Sequence, residues 1–143
     1  MFIVGTGLPR AERGDPAGLG SGPRHQYAWD QAAAAGLIAT CPITELEFFH
    51  SARTAADRAR GIEDVRPLFS WVPVDDRAYD RAWQVQDVLT KRGLHRSAGA
   101  VDLVVAATAE LQGLALLHRD HDFECVAGVT GQALQWYGPE AGK

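Results

Sequence analysis

The chain has 143 residues, of which 46% are hydrophobic and 22% are charged, which predicts one domain whose core is large enough to fold without disulfides. The net charge of −4 argues against non-specific coating of nucleic acid, and the two cysteines exclude a four-cysteine zinc site. Because no apolar run reaches the roughly 20 residues of a membrane span and the first residues lack the pattern of a signal peptide, we expect a cytoplasmic protein with no membrane contact.

The first third of the chain contains short predicted elements around a segment rich in turn formers. Residues 1–6 predict a short buried strand, and the glycines and prolines of residues 7–24 oppose a regular helix. Residues 26–35 predict a helix that ends at Gly36, and the apolar residues 37–41 predict a second strand.

Helical patterns follow this second strand. Thr44 and Glu47 have the spacing of a capping box, which predicts a helix over residues 45–53. Thr54 precedes a second predicted helix over residues 55–69, and residues 71–74 predict a brief strand.

The second half of the chain alternates between helices and strands. Asp75 or Asp76 caps an amphipathic helix through Lys91, whose apolar face contains Ala78, Ala82, Val85 and Leu89. A helix over residues 101–111, apolar nearly all round, ends at Gly113 and is therefore expected to be buried. Residues 114–118 and 134–136 predict the last two strands.

Short apolar strands that alternate with helices predict an α/β fold, with a parallel sheet covered by helices on both faces. We expect one domain over residues 1–137, which includes the irregular loop over 7–24, and a disordered tail over residues 138–143. Ligands of such sheets bind beyond the carboxyl ends of the strands, so the residues that follow each strand are the candidates for a site.

Acidic residues occupy several of these positions, namely Glu47, Asp102, Asp120 and Asp122. Two carboxylates 4 Å apart repel by about 4 kcal/mol at an effective dielectric constant of 20, so a cluster of them requires a cation. Oxygen ligands favour Mg²⁺ or Mn²⁺ over Zn²⁺. Each residue also has a structural interpretation: Glu47 as the capping-box residue, Asp102 as a helix N-cap, and Asp120 or Asp122 in an Asx-turn.

Three stretches resemble the PIN-domain ribonucleases, specifically the VapC-like toxins of type II toxin–antitoxin modules. They are CPITELEFFHSAR at 41–53, DLVVAATA at 102–109 and LHRDHDF at 117–123, within a resemblance that runs from about residue 33 to residue 136. The resemblance implies a three-layer α/β/α fold with a short, mainly parallel central sheet. It also implies cleavage of RNA dependent on Mg²⁺ or Mn²⁺, a homodimer, and a cognate VapB-like antitoxin that blocks the site.

The acidic residues of the family correspond to Glu47, Asp102 and Asp120, which are the predicted catalytic residues and metal ligands, with Asp122 as a supporting ligand. Glu45, two residues from Glu47, is expected to point elsewhere. The first motif of the family, a strand followed by Asp-Thr-Ser, is Val-Gly-Thr-Gly at residues 4–7 of this chain.

Gly5 therefore stands where the family has a metal-binding aspartate, and we predict weakened metal binding and impaired cleavage. Thr6 is a candidate for a hydrogen bond to a ligand or a metal-bound water, and a turn hydroxyl is the alternative. The alternative function is a catalytically inactive PIN domain that binds its antitoxin.

Contacts with partners are expected at two further places. Lys91, Arg92 and Arg96, with His95 among them, are candidates for binding the RNA backbone, and a solvated helix end is the alternative interpretation. An apolar stripe is expected to receive an antitoxin helix or to pack within the core, and it contains Phe48, Phe49, Ile62, Val65, Leu68 and Phe69.

Two other enzyme or binding classes fit less well. A nucleophilic-aspartate phosphatase requires Asp-x-Asp after the first strand, which residues 4–7 lack. A dinucleotide-binding domain requires three spaced glycines followed by a helix, and the prolines and glycines after residue 7 oppose that helix.

Overall fold

The structure, a computed structural model, describes residues 2–4, 31, 33–118 and 120–136. Within these residues, five short strands form one sheet: β1 (Phe2–Val4), β2 (Ile38–Thr40), β3 (Ser70–Trp71), β4 (Ala115–His118) and β5 (Leu134–Trp136). The predictions for the loop over 7–24, for most of the helix over 26–35 and for the tail over 138–143 concern segments outside the described residues.

The strand order is β3-β2-β1-β4-β5. The directions of the strands agree only in part with the predicted parallel sheet. β2 pairs parallel with β3, and β4 pairs parallel with β5, which confirms a mixed α/β fold with short parallel strands. β1, however, is antiparallel to both β2 and β4, so the prediction of parallel pairing was wrong for this strand. Three consecutive apolar residues predict a strand, but they contain no information on its direction.

The register of β1 shows where the chain leaves the sheet. Val4 pairs with Ile38 and with Ala115, which are the first residues of β2 and β4. The end of β1 therefore lies at the sheet edge opposite to the carboxyl ends of β2 and β4. Gly5, Thr6 and Gly7 follow outside the described residues.

Residues 31, 33 and 34 are helical, and five complete α-helices follow in the part of the chain that the structure describes: α1 (Pro42–Phe49), α2 (Ala55–Val65), α3 (Asp76–Lys91), α4 (Ala100–Leu111) and α5 (Asp122–Thr130). A short 3₁₀ turn, Arg66–Leu68, continues α2. α5 was not predicted from the sequence, although Phe123 and Val126 are both buried at the i, i+3 spacing of a helix. None of the helices in the described ranges is long and apolar enough to cross a membrane.

The start of α1 corrects the predicted capping box. The helix begins at Pro42, after an extended Cys41, because proline is favourable at the first helical position, where a backbone N–H has no helical partner. Thr44 is thus inside the helix and buried, with its hydroxyl oxygen 3.3 Å from the Cys41 sulfur. Glu47 therefore does not act as a capping-box residue, and that structural interpretation is wrong.

The next boundaries agree only in part with the predictions. The Thr54 hydroxyl accepts the Asp57 N–H at 3.0 Å, which confirms the predicted cap of α2. The helix ends at Val65 rather than at residue 69, because Pro67 has no N–H to continue the helical hydrogen bonds. The following strand is limited to Ser70–Trp71, although residues 71–74 were predicted.

The core forms mainly around α4. Residues 103–109 of this helix are all buried, as its apolar sequence predicted. α4 packs against α3, whose four predicted apolar residues, Ala78, Ala82, Val85 and Leu89, are all buried. Arg81 of α3 and Glu110 of α4 form an ion pair at 3.0 Å across this contact. The packing fixes the first turn of α4, where Asp102 lies, relative to the sheet.

Candidate active site

Glu47 and Glu45 project from different sides of α1. This helix follows directly from the carboxyl end of β2, so both side chains begin near the same sheet edge. Glu47 is exposed and makes no hydrogen bond or ion pair with another described residue. Glu45 is turned toward Arg66, with 3.6 Å between its Oε2 and the guanidinium Nη2. The structure thus places the two carboxylates apart, as their spacing of two residues on a helix predicted.

Asp102 lies in the first turn of α4 and is partly buried. Its Oδ2 accepts the Gly99 N–H over a long 3.4 Å, so Gly99, and not Asp102, is the N-cap of the helix. Burial raises the pKa of Asp102, the Gly99 N–H lowers it, and the charges of Glu47, Asp120 and Asp122 raise it further, with a net increase. Its ionised form is therefore less stable here than in water.

Asp120 and Asp122 follow the carboxyl end of β4. The Asp120 Oδ1 accepts the Asp122 N–H at 2.9 Å, which confirms the Asx-turn that was one interpretation of this pair. The other Asp120 oxygen makes no hydrogen bond with a described residue, and the side chain is exposed. Asp122 is the first residue of α5 and is half-buried. The turn holds the Asp120 carboxylate and leaves one of its oxygens available to a ligand.

The four acidic residues predicted from the sequence act on one another electrostatically, because three of their charges raise the pKa of the fourth, Asp102. They do not form a ready-made metal cage: among the described residues, no three His, Cys, Asp or Glu side chains lie close enough to hold one ion. Their chemistry still suits Mg²⁺, which commonly binds one or two carboxylates and retains several waters.

His118, the last residue of β4, is a buried part of this region whose position the sequence analysis did not predict. Its Nδ1–H donates to the Asp120 carbonyl oxygen at 2.9 Å, since a carbonyl can only accept. Its ring lies 5.7 Å from Phe123 and 5.2 Å from Trp136, between ring centroids. Burial lowers the pKa of His118 more than the carbonyl contact raises it. The neutral ring therefore holds the backbone of Asp120.

His121 lies on the surface beside this cluster. Its ring stacks on Trp136 with 4.7 Å between centroids, and its Nδ1 is 3.1 Å from Glu124 Oε1. His121 is thus a surface residue with a hydrogen-bonding and stacking role, whereas His118 is buried and hydrogen-bonded.

The predicted RNA-binding side chains surround the turn between α3 and α4. Lys91 is paired with Asp87 at 2.6 Å, and Arg92 is the C-cap residue of α3. Arg96 is exposed, makes no ion pair with a described residue, and precedes Gly99 by three positions. Arg92 likewise makes no side-chain ion pair with a described residue, so both arginines are available, and contact with RNA stays a prediction.

The predicted apolar stripe divides into two groups. Phe49 is buried, and Ile62, Val65 and Phe69 are half-buried, so these four residues pack against the fold. Phe48 and Leu68 remain about half exposed, at 49% and 50%.

Comparisons with known proteins agree with the resemblance seen in the sequence. The family described as PIN domain matches residues 17–129, a range that excludes residues 4–7. Among curated relatives, Ribonuclease VapC21 of Mycobacterium tuberculosis is 42% identical over 101 residues, which cover 71% of this chain and 73% of the relative. Ribonuclease VapC18 of the same organism is 38% identical over 119 residues, which cover 82% of this chain and 86% of the relative.

A solved structure is also similar. It is the crystal structure of VapBC-5 from Mycobacterium tuberculosis, a member of the VapBC family of toxin–antitoxin systems. The TM-score is 0.51 at 28% sequence identity, and the match covers 71% of this chain and 81% of the other.

Proposed function

Because this chain belongs to the PIN domain family and to its VapC group, we propose that it is a metal-dependent endoribonuclease toxin of a VapBC-type system. The observation that supports the proposal best is the set of like charges around Asp102, at the edge formed by the carboxyl ends of β2 and β4. A partly buried carboxylate surrounded by three others is destabilising in the free protein, and a divalent cation offsets that repulsion.

The side chains of this edge have complementary roles in the proposed reaction. When bound, Mg²⁺ or Mn²⁺ supplies a water of lowered pKa and positive charge near the scissile phosphate. Asp102 is held by the Gly99 N–H and, in the proposal, orients the attacking water. Asp120 is fixed through its side chain by Asp122 and through its carbonyl by His118, and Glu47 completes the ligand set.

We propose further that cleavage is impaired in this chain. Gly5 has no side chain to replace the aspartate of the family motif. With fewer protein ligands, Mg²⁺ retains more waters and binds more weakly.

The second candidate is a catalytically inactive PIN domain that binds its antitoxin. It is favoured by the finding that no three potential ligands in the described ranges approach closely enough to hold one ion. The exposed Phe48 and Leu68 provide apolar surface for an antitoxin helix. In both candidates, a VapB-like partner that extends an arginine to the carboxylates would block the site. We also propose that the protein acts in the cytoplasm and that it forms a homodimer. Analytical ultracentrifugation of the purified chain would test the dimer.

The deciding experiment measures cleavage of a fluorescent single-stranded RNA by the chain and by its Gly5→Asp variant, with Mg²⁺, with Mn²⁺ and with EDTA. We expect slow, metal-dependent cleavage by the chain and faster cleavage by the variant. In the Gly5→Asp background, Asp102→Asn or Asp120→Asn should reduce the rate by roughly 100-fold or more, since loss of a metal ligand exceeds the 10–100-fold effect of outer-sphere partners.

Glu63→Gln is the matched control, because Glu63 is exposed on α2 and its substitution removes the same charge. Binding of a VapB-like antitoxin without cleavage in either background would favour the inactive domain. Cleavage by the original chain at the rate of its Gly5→Asp variant would contradict the proposed impairment. Cleavage that persists in EDTA would contradict the metal-dependent mechanism.

A further inference from the structure

A second polar site lies beside α1, on the side away from Glu47. It is a cavity of about 380 Å³ lined by Glu45, Arg66, Phe69 and Trp71. Trp71, the last residue of β3, pairs in parallel register with Thr40, the last residue of β2. The cavity therefore opens at the same edge of the sheet as the candidate active site.

The two carboxylate oxygens of Glu45 are available to accept hydrogen bonds from a ligand in this cavity. Only 13% of its side chain is exposed, so the carboxylate is largely withdrawn from bulk water. The Arg66 Nη2 lies 3.6 Å away, which is close enough for an ion pair but too long for a hydrogen bond. No other described residue donates a hydrogen bond to Glu45. A ligand with two adjacent donors would satisfy this carboxylate.

The other side chains of the cavity provide a surface for stacking. Trp71 is an aromatic side chain that is 57% exposed, and the Arg66 side chain is 63% exposed. Proteins that recognise single-stranded RNA stack unpaired bases on aromatic rings or on arginine planes, and they bind the Watson–Crick edge with polar groups. This cavity contains all three of these components.

We propose that the cavity binds a guanine base of the RNA substrate, an inference that rests on the proposed ribonuclease function. Guanine presents its N1–H and N2–H side by side, which matches the two oxygens of the Glu45 carboxylate. Its O6 and N7 accept hydrogen bonds, and arginine is their commonest partner. Arg66 lies beside Glu45 to donate such a bond.

The other bases and a cationic ligand match less well. Adenine and cytosine each offer one amino group next to an acceptor that would face the carboxylate. Uracil offers a single N–H between two carbonyl oxygens. A lysine or arginine of a protein partner would meet the positive charge of Arg66, which already neutralises Glu45. A neutral base that uses both side chains avoids this repulsion.

The distance from the carboxylates indicates which nucleotide is recognised. Glu45 and Glu47 are two residues apart, so their side chains are separated by about 200° around α1. The width of a helix with its side chains, about 10–12 Å, thus lies between the cavity and the candidate active site. The recognised guanine would therefore belong to a neighbouring nucleotide and not to the one whose phosphate is cleaved.

The test measures fluorescence anisotropy of labelled single-stranded RNA octamers in EDTA, so that binding is independent of cleavage. One octamer carries a single guanosine among uridines, and the other carries a single adenosine at the same position. We expect the chain to prefer the guanosine octamer by about 5- to 150-fold, the range for one bidentate pair. Glu45→Gln should remove this preference, and Glu63→Gln should retain it.

A second variant separates stacking from recognition of the base edge. Trp71→Ala should weaken binding of both octamers by about 5- to 150-fold, since stacking contributes irrespective of the base. Circular dichroism melting would verify that each variant is folded. Equal binding of the two octamers by the original chain would overturn the proposal, and so would a guanosine preference that survives Glu45→Gln.

The outcomes of these experiments distinguish a failure of the guanine site from a failure of the proposed ribonuclease function. Metal-dependent cleavage without a guanosine preference would leave the function standing and overturn the guanine site. A Glu45→Gln variant that loses antitoxin binding while it binds both octamers like the original chain would assign the cavity to a protein partner instead.

Discussion

Replacing Asp102 with asparagine should remove activity and also make the chain more stable at neutral pH. Burial raises the pKa of Asp102 and, despite the Gly99 N–H, the charges of Glu47, Asp120 and Asp122 keep it raised. A folded-state pKa above the unfolded-state value means that ionised Asp102 destabilises the fold. Asparagine retains an oxygen for the Gly99 N–H but carries no charge, so the repulsion disappears.

The stability gained by Asp102→Asn depends on how far solvent screens the neighbouring charges. By Coulomb's law, any two unit charges of like sign that are roughly 8 Å apart repel by about 0.5 kcal/mol in a water-like dielectric and by about 2 kcal/mol at a dielectric constant of 20. Because Glu47 and Asp120 are exposed, the lower value applies, and the three neighbours together contribute about 1–2 kcal/mol. The substitution also removes a favourable negative charge at the start of α4, which is worth about 0.5 kcal/mol. The net gain is about 1 kcal/mol, or about 3 °C in melting temperature.

Urea unfolding of the variant and the original chain at several pH values between about 3.5 and 8 measures the gain in unfolding free energy and its pH dependence. Below the ordinary pKa of 3.8, Asp102 is protonated in both the folded and the unfolded chain, so the variant gains nothing from the missing charge. The gain appears as the pH rises through the raised folded-state pKa, and it is complete at neutral pH. The measured difference between variant and original chain should therefore increase with pH.

Asp87→Asn is the matched control, because Asp87 is exposed and paired with Lys91 at 2.6 Å. Removing this pair should lower the free energy of unfolding by about 0.3–0.5 kcal/mol, which is the opposite sign. If Asp102→Asn destabilised the chain at pH 7 as Asp87→Asn does, the carboxylates would not crowd one another and the argument for a cation site would fail.

Two further predictions concern stability. The free energy of unfolding should fall as the pH drops below 6.5, the ordinary pKa of histidine, because burial lowers the pKa of His118 and the unfolded chain binds the proton more readily. Melting temperatures between pH 8 and pH 5 should show this fall, and His118→Gln should reduce the slope. Leu89→Ala should cost about 2–5 kcal/mol, since Leu89 is fully buried under α4, whereas Trp83→Ala on the same helix should change the unfolding free energy by less than about 0.5 kcal/mol. Urea unfolding of the two variants measures the contrast, and equal losses would contradict the packing of α3.

The sequence by itself was sufficient to predict the elements that have a long and regular hydrophobic pattern. The 16-residue α3 was predicted with its buried face, because four small or apolar residues recur at the helical period. The buried α4 followed from an apolar run that no exposed helix would have. The acidic residues at the candidate site were predicted because each one follows a strand or begins a helix, and because the motifs around them resemble those of the PIN family.

Tertiary structure alone decided which distant residues meet. The antiparallel direction of β1, the contact of Glu45 with Arg66 and the burial of His118 between Phe123 and Trp136 each join segments that are separate in sequence or too short to specify a direction. Hydrophobic periodicity records which face of an element is buried, but it contains no information on the partner that buries it. That partner is selected by the packing and electrostatics of the whole chain. Here the same selection places one carboxylate of α1 at the edge of the candidate active site and the other in a second cavity.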